Sequence, residues 1–306
     1  MQRDISHVAS ATLSRALQHY FYRSIYRPSH APIPSPALQM KLFEITQPTA
    51  PLLPIVVSVP HAGTAFPADI QAELKPSLLP TDDTDWSVHQ LYDFATELGI
   101  PILKANYSRW VVDLNRNPDS SPLYHDGRVL TGLCTTTTFL GEPIYTDERT
   151  EVAAAEVARR KALYFEPYHA ALQQLLDDTK VRFGQVLLWD CHSIRRVVSA
   201  IHAGPFPDLI LGSADQTSAS AELIAQALQQ LGSGPYSLNH NTPFKGGYIT
   251  RHFGQPAARQ HALQLEMSKD VYMDDAEQAY DQGRADQIRS TLRQTLLTLG
   301  QSLRTA

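Results

Sequence analysis

The sequence predicts an α/β protein built on a mostly parallel central sheet with helices on both faces. Three observations carry that prediction. Short apolar runs such as Ile55-Val56-Val57-Ser58-Val59 and Val186-Leu187-Leu188-Trp189 show little polar alternation, as strands covered on both faces require. Longer stretches of good helix formers separate such runs, and that alternation makes successive strands parallel. Two of the runs lead into a histidine, His61 and His192, at the strand ends where open α/β sheets hold their ligands.

In chain order, residues 1–39 hold Arg3, Arg15, Arg23 and Arg27 against a single acid, Asp4, and break at Pro28, Pro32, Pro34 and Pro36. Such a composition suits a targeting presequence. Met40, however, opens Met-Lys-Leu-Phe-Glu-Ile, a workable start, so 1–39 is read as a disordered or misassigned extension and 40–306 as one α/β domain. The first strand is 55–59. A helix is expected over 82–98, with Thr81 as its N-cap and Gly99 as its stop, then a strand at 100–105. Residues 111–114 read as a short extended piece and 120–143, rich in Thr, Gly and Pro, as a long functional loop. A helix over 146–179, divided at Pro167, leads into the strand 186–189. A strand at 208–211, a helix at 218–231 and strand candidates at 246–250 and 262–267 follow. Residues 274–303 close the chain as one amphipathic helix or two.

Composition narrows the function classes. A chain of 306 residues with net charge −5 and no Lys/Arg run lacks the basic face that phosphate neutralisation requires, which argues against nucleic acid. Its longest apolar stretches are strand length, short of the ~20 residues a bilayer span needs. Two cysteines, Cys134 and Cys191, make no disulfide framework and fit a reducing, cytoplasmic setting.

The chemistry concentrates in a few segments. Neutral imidazole is the commonest metal ligand, and two of them plus a carboxylate would leave a divalent metal an open position, so His61 and His192 suggest a metallohydrolase. The richest acidic cluster between them is Asp82-Asp83-Thr84-Asp85-Trp86, although acids at a helix start also simply favour the macrodipole. Cys191 could serve as a thiolate nucleophile, but adjacent strand residues point to opposite faces, so it does not pair naturally with His192 and reads as a small buried hydrophobe. Glu266 stands in the apolar run Ala-Leu-Gln-Leu-Glu-Met, where a buried carboxylate is costly without a role, and is the candidate proton carrier. Arg109 and Arg116 flank Val111-Val112-Asp113-Leu114-Asn115, and Lys245 and Arg251 flank a Gly pair; guanidinium groups are the planar partners of carboxylates.

Taken in order, Ser58-Val59-Pro60-His61-Ala62-Gly63-Thr64, Asp83-Thr84-Asp85-Trp86, Asp113-Leu114-Asn115-Arg116, Asp190-Cys191-His192-Ser193, Pro243-Phe244-Lys245-Gly246-Gly247-Tyr248 and Gln264-Leu265-Glu266-Met267 resemble the N-formylglutamate deformylase (N-formylglutamate amidohydrolase) family. The resemblance spans about residues 50–275. It implies a phosphorylase/hydrolase-like fold similar to the zinc carboxypeptidases, and hydrolysis of N-formyl-L-glutamate to L-glutamate and formate in histidine degradation. It also implies a metal held by His61, Asp85 and His192, with Asp83 as the alternative acid and Glu266 as general base and acid. Asn115 and Arg116 would grip a carboxylate of a small dicarboxylate substrate, Lys245 and Arg251 would assist, and Arg109 would stabilise an oxyanion or make a second carboxylate contact. Zinc suits the ligand types, as would cobalt, nickel, manganese or iron. One departure is His89, where the family's Trp-x-Val-Asp-x-Leu-Tyr stretch carries an acid; it opens the way to a modified metal shell or a changed specificity.

Overall fold

The computed structural model describes residues 41–119 and 132–305, so the expected extension over 1–39 and residues 120–131 of the expected loop lie outside the described residues. Among the described residues, seven strands form one sheet in the order β1-β3-β2-β4-β7-β5-β6. They are β1 (Phe43–Thr46), β2 (Ile55–Val59), β3 (Ile102–Ala105), β4 (Val186–Ile194), β5 (Leu209–Gly212), β6 (Leu238–His240) and β7 (Gln260–Ser268). The pairs β2/β3, β2/β4, β4/β7 and β5/β6 are parallel, and only β1/β3 and β5/β7 are antiparallel.

The helices are α1 (Ala68–Gln71), α2 (Val88–Leu91), α3 (Ala154–Arg160), α4 (Glu166–Phe183), α5 (Ala221–Leu231), α6 (Tyr248–Phe253) and α7 (Gln282–Thr305). Both faces of the central strands are buried. Val57, Trp189, Cys191, Leu263 and Leu265 join one apolar cluster with α5 and α7, while Val56, Leu188 and Ala262 join a second with α4 and α6. Neighbouring strand residues alternate between the two clusters, so neither face supplies polar residues to the sequence pattern and the strands read as continuous apolar runs.

That second face changes character toward the carboxyl ends. The parallel register puts Ser58, Asp190 and Gln264 side by side across β2, β4 and β7, and His192 beside Glu266 one step further on. Residues two apart share a face, so the row Val56, Leu188, Ala262 is followed by two polar rows. Gly99 holds φ 82 at the stop foreseen for it, and a Cβ there would lie 2.0 Å from the Pro51 carbonyl oxygen.

Several expected elements differ. Residues 82–98 are not one helix: Ser87 sits at φ 61, which confines helix to α2 and a 3₁₀ segment, Asp93–Leu98. Thr81 caps nothing and bonds the Thr84 hydroxyl instead. The extended piece at 111–114 is a chain of turns, with Val111 N–H on Ser108 O and Arg116 N–H on Asp113 O. The long helix divides not at Pro167 but at a π turn, Lys161–Phe165, just before it; the wider turn accommodates the missing proline N–H. Residues 246–250 begin α6 rather than a strand, because the backbone N–H groups of Tyr248 and Ile249 are capped by Asn115 from a distant loop. The strands at the two edges, β1 and β6, were not foreseen. The closing helix starts only at Gln282, after a turn in which Asp281 accepts from Arg284 N–H.

Candidate metal centre

His61 lies two residues past β2, His192 near the end of β4, and Asp85 in the turn before α2, whose backbone N–H donates to the His61 carbonyl at 3.0 Å. That bond pins the acidic turn to the end of β2. All three residues are buried, and one ligand atom from each lies within 4.8 Å of the others. Asp85 Oδ2 is 3.1 Å from His192 Nδ1 and 3.8 Å from His61 Nδ1.

Each imidazole is held from behind by a carboxylate. His61 Nε2 meets Asp113 Oδ1 at 2.8 Å, and His192 Nε2 meets Asp190 Oδ2 at 3.0 Å. Carboxylate oxygens only accept, so both Nε2 atoms carry the hydrogen; the His61 Nδ1 lone pair is left to face the cluster, whereas His192 Nδ1, 3.1 Å from Asp85 Oδ2, carries a second proton that a metal ion would displace. His61 Nδ1 is buried without any hydrogen-bond partner. An orphaned ligand-type nitrogen, a second imidazole nitrogen and a carboxylate oxygen at this spacing fit a divalent cation, whose charge would satisfy all three.

The field of the site agrees. Burial, reinforced by Arg109, lowers the His61 pKa against the pull of Asp113. Burial acts the same way on His192, but the carboxylates of Asp190 and Asp85 outweigh it and raise that pKa well above the ordinary value, so a proton on His192 supplies positive charge where a cation would sit. For Asp113, burial is outweighed by Arg109 and then His61, which hold the carboxyl well below the usual range.

Glu266, paired across the strands with His192, is buried. Burial dominates its environment and, despite the His192 charge, pushes its carboxyl up to about 8. A carboxyl that can hold or release a proton near neutrality suits proton transfer. Arg109 is also buried, with one amino group on Asp113 Oδ2 at 2.7 Å, the other 4.0 Å from Asp85 Oδ1, and its guanidinium 4.6 Å over the Phe139 ring. Arg116 approaches the same Asp113 carboxylate at 3.8 Å and is more exposed.

The remaining foreseen residues divide. The Asn115 carboxamide is absorbed by the protein: Oδ1 accepts from Ile249 N–H at 2.8 Å, while Nδ2 reaches Gln264 Oε1 at 3.2 Å and Asp190 Oδ2 at 3.4 Å. It braces the centre and α6 together. Lys245 pairs with Asp215 at 2.9 Å, and Arg251 donates to the Gly246 carbonyl at 3.0 Å. Asp83 stands outside the cluster, accepting from Trp110 Nε1 and Phe139 N–H, and Asp82 pairs with Arg195. His89 lies on the exposed side of α2 and takes no part in the three-residue cluster. Cys191 is buried in the apolar cluster on the opposite face from His192, and burial raises its thiol pKa well above normal. The roles of Asp113 and of the Ser58 hydroxyl, which donates to Asp190 Oδ1 at 3.0 Å, were missed. The available signal was the rule that a ligating histidine needs a carboxylate on its other nitrogen.

Residues 53–273 match the sequence model of the N-formylglutamate amidohydrolase family. The chain belongs to that family. An N-formylglutamate deformylase of Pseudomonas aeruginosa is 41% identical over 250 residues, covering 81% of this chain and 92% of that protein. A second, from Pseudomonas putida, is 38% identical over the same share of each chain. The crystal structure of the N-formylglutamate amidohydrolase from Ralstonia eutropha JMP134 superposes with a TM-score of 0.74 at 28% identity, covering 86% of this chain and 98% of that one. A gene product of Agrobacterium tumefaciens shares the fold at 16% identity, with a TM-score of 0.63. Among the described residues, His61, Asp85 and His192 form a group that could hold a metal ion.

Proposed function

We propose that this chain hydrolyses N-formyl-L-glutamate to L-glutamate and formate, with a zinc ion held by His61, Asp85 and His192. Membership of the family and the deformylase names of its relatives support the substrate; the orphaned Nδ1 of His61, buried beside Asp85 and His192, carries the metal assignment. Such a cation, when bound, polarises the formyl oxygen and lowers the pKa of a water to ~7.

The chain's own groups do the rest. Glu266 accepts the proton of the attacking water as the new C–O bond forms, then delivers it to the amide nitrogen as the C–N bond breaks, releasing formate and the glutamate amine. Arg116 holds the α-carboxylate, with Lys245 and Arg251 adding positive charge on the α6 side. Arg109 faces the charge that develops on the formyl oxygen, while its bond to Asp113 keeps it in place. Asn115 supports this arrangement by bracing Asp190 and α6. A place in histidine breakdown fits that substrate, and two free buried cysteines suit a reducing cytoplasm. Among the described residues no helix is long and apolar enough to cross a membrane.

The test is formate release from N-formyl-L-glutamate by purified protein, with chelator, with added Zn²⁺, and beside N-acetyl-L-glutamate. The reading requires chelator-sensitive formate release and little acetate. Absence of release under every metal condition would overturn it.

A further inference from the structure

A buried lysine that the proposed reaction does not use follows the strand that carries Glu266. Lys269 follows β7 directly, three residues after Glu266, and is only 2% exposed. Its ammonium donates to the Asp82 carbonyl at 2.8 Å. An ammonium has three hydrogens to place, yet no described carboxylate lies within 4.0 Å of this one. Burying a cation without an anionic partner is costly, and the imbalance ends when a carboxylate arrives.

Lys269 lines a crevice of about 50 Å³, together with Asp83, Ser193, Arg195, Leu140 and Val197. Since roughly 10–15 Å³ of such space holds one water, the crevice accepts a carboxylate group. The acids at its wall are already engaged: Asp83 by Trp110 and Phe139, Asp82 by Arg195 Nε at 2.9 Å. Arg195, which also lies 3.8 Å from Glu277, adds positive charge to the wall. The rim of the crevice mixes the exposed side chains of Leu140 and Val197 with the charged pair Asp82 and Arg195. Arg116 lies 3.8 Å from Asp113, and the Asp85 charge acts on Lys269.

We propose that Lys269 is a specificity-determining anchor for the side-chain carboxylate of the substrate, received in this crevice while Arg116 holds the α-carboxylate. The inference rests on the reading of N-formylglutamate as substrate. It makes the enzyme selective for an acidic side chain over its neutral isostere, because only the acid completes the ion pair of a desolvated ammonium.

The experiment compares N-formyl-L-glutamate with N-formyl-L-glutamine on zinc-loaded wild type, Lys269→Met and Lys269→Arg, with glutarate binding to each protein measured by calorimetry. Lys269→Met should lose about 30- to 1000-fold in kcat/KM on the acid. On the amide it should stay within about threefold, so the preference collapses, and Lys269→Arg should restore much of it. Equal losses on both substrates would mean that Lys269 only pins the Asp82 carbonyl, and no loss on either would mean no role; both results overturn the proposal. If wild type releases formate from neither substrate, the proposed reaction fails and the glutarate titration decides Lys269. Glutarate binding that is lost in Lys269→Met upholds the anchor, and binding that is absent or indifferent to Lys269 overturns it.

Discussion

His61 gives its Nε2 hydrogen to Asp113 Oδ1 at 2.8 Å, and that bond fixes which nitrogen looks into the centre. With Nε2 committed, only Nδ1 can meet a cation, and it is this atom that has no protein partner. Asp190 does the same for His192 from within one strand, two residues earlier on the same face. Asp190→Asn keeps the shape but accepts the Nε2 hydrogen more weakly, and should reduce metal affinity by about 10- to 100-fold in a chelator competition. Asp113→Asn should weaken metal affinity similarly and also leave Arg109 short of its partner, costing about 3–5 kcal/mol in denaturant unfolding. Wild-type metal affinity in both variants would show that the imidazoles are held by something else.

Glu266→Gln is nearly isosteric and removes only the ability to carry a proton. It should lower kcat by about 10²–10⁴-fold with KM and metal affinity close to wild type. Turnover within a few-fold of wild type would assign the proton transfer elsewhere.

Gly247 is held against Asn115 so closely that a Cβ would lie 2.4 Å from the carboxamide. Gly247→Ala must therefore displace the brace between α6, Gln264 and Asp190, with an expected loss of about 1–3 kcal/mol. Asn115→Ala vacates that space while removing the brace itself. The double variant should be less damaged than the sum of the singles, because both act through one contact. Strict additivity of the unfolding free energies would show the two sites to be independent.

His169, packed between Phe165 and Phe253, has its pKa lowered by burial to about 4. Unfolding restores the ordinary value of 6.5, so the unfolded chain binds more protons between those limits. The stabilising contribution is complete above 6.5 and is lost as pH falls toward 4. His169→Phe should flatten the acid limb of the stability profile in that window, measured by urea midpoints at several pH values. An unchanged slope would place the acid sensitivity in other groups.

The fold class was legible because its cause is local. Strands buried on both faces must be apolar at every position, so β2, β4 and β7 appear as apolar runs, and Gly99 marks a stop that no side chain could make. The missed elements lack that cause. β1 is a four-residue edge strand, Phe-Glu-Ile-Thr, paired only with β3 and mostly exposed, and β6 is only three residues long. α6 looks like a strand in composition, since Tyr, Ile and Thr favour extended backbone, and becomes a helix because Asn115 caps its first turn from more than a hundred residues away.

By itself, then, the sequence determined a mostly parallel sheet whose strands lead into His61 and His192, with an acid-rich segment between them and Glu266 in a third apolar run. Tertiary structure decided which atoms meet. It selected Asp85 from three nearby acids by tying its backbone to His61, turned both imidazoles with Asp113 and Asp190, set Glu266 beside His192 through the β4/β7 register, and used Asn115 as a brace. Residue type and strand periodicity are properties of short segments; hydrogen-bond partners and register are fixed only when distant segments pack.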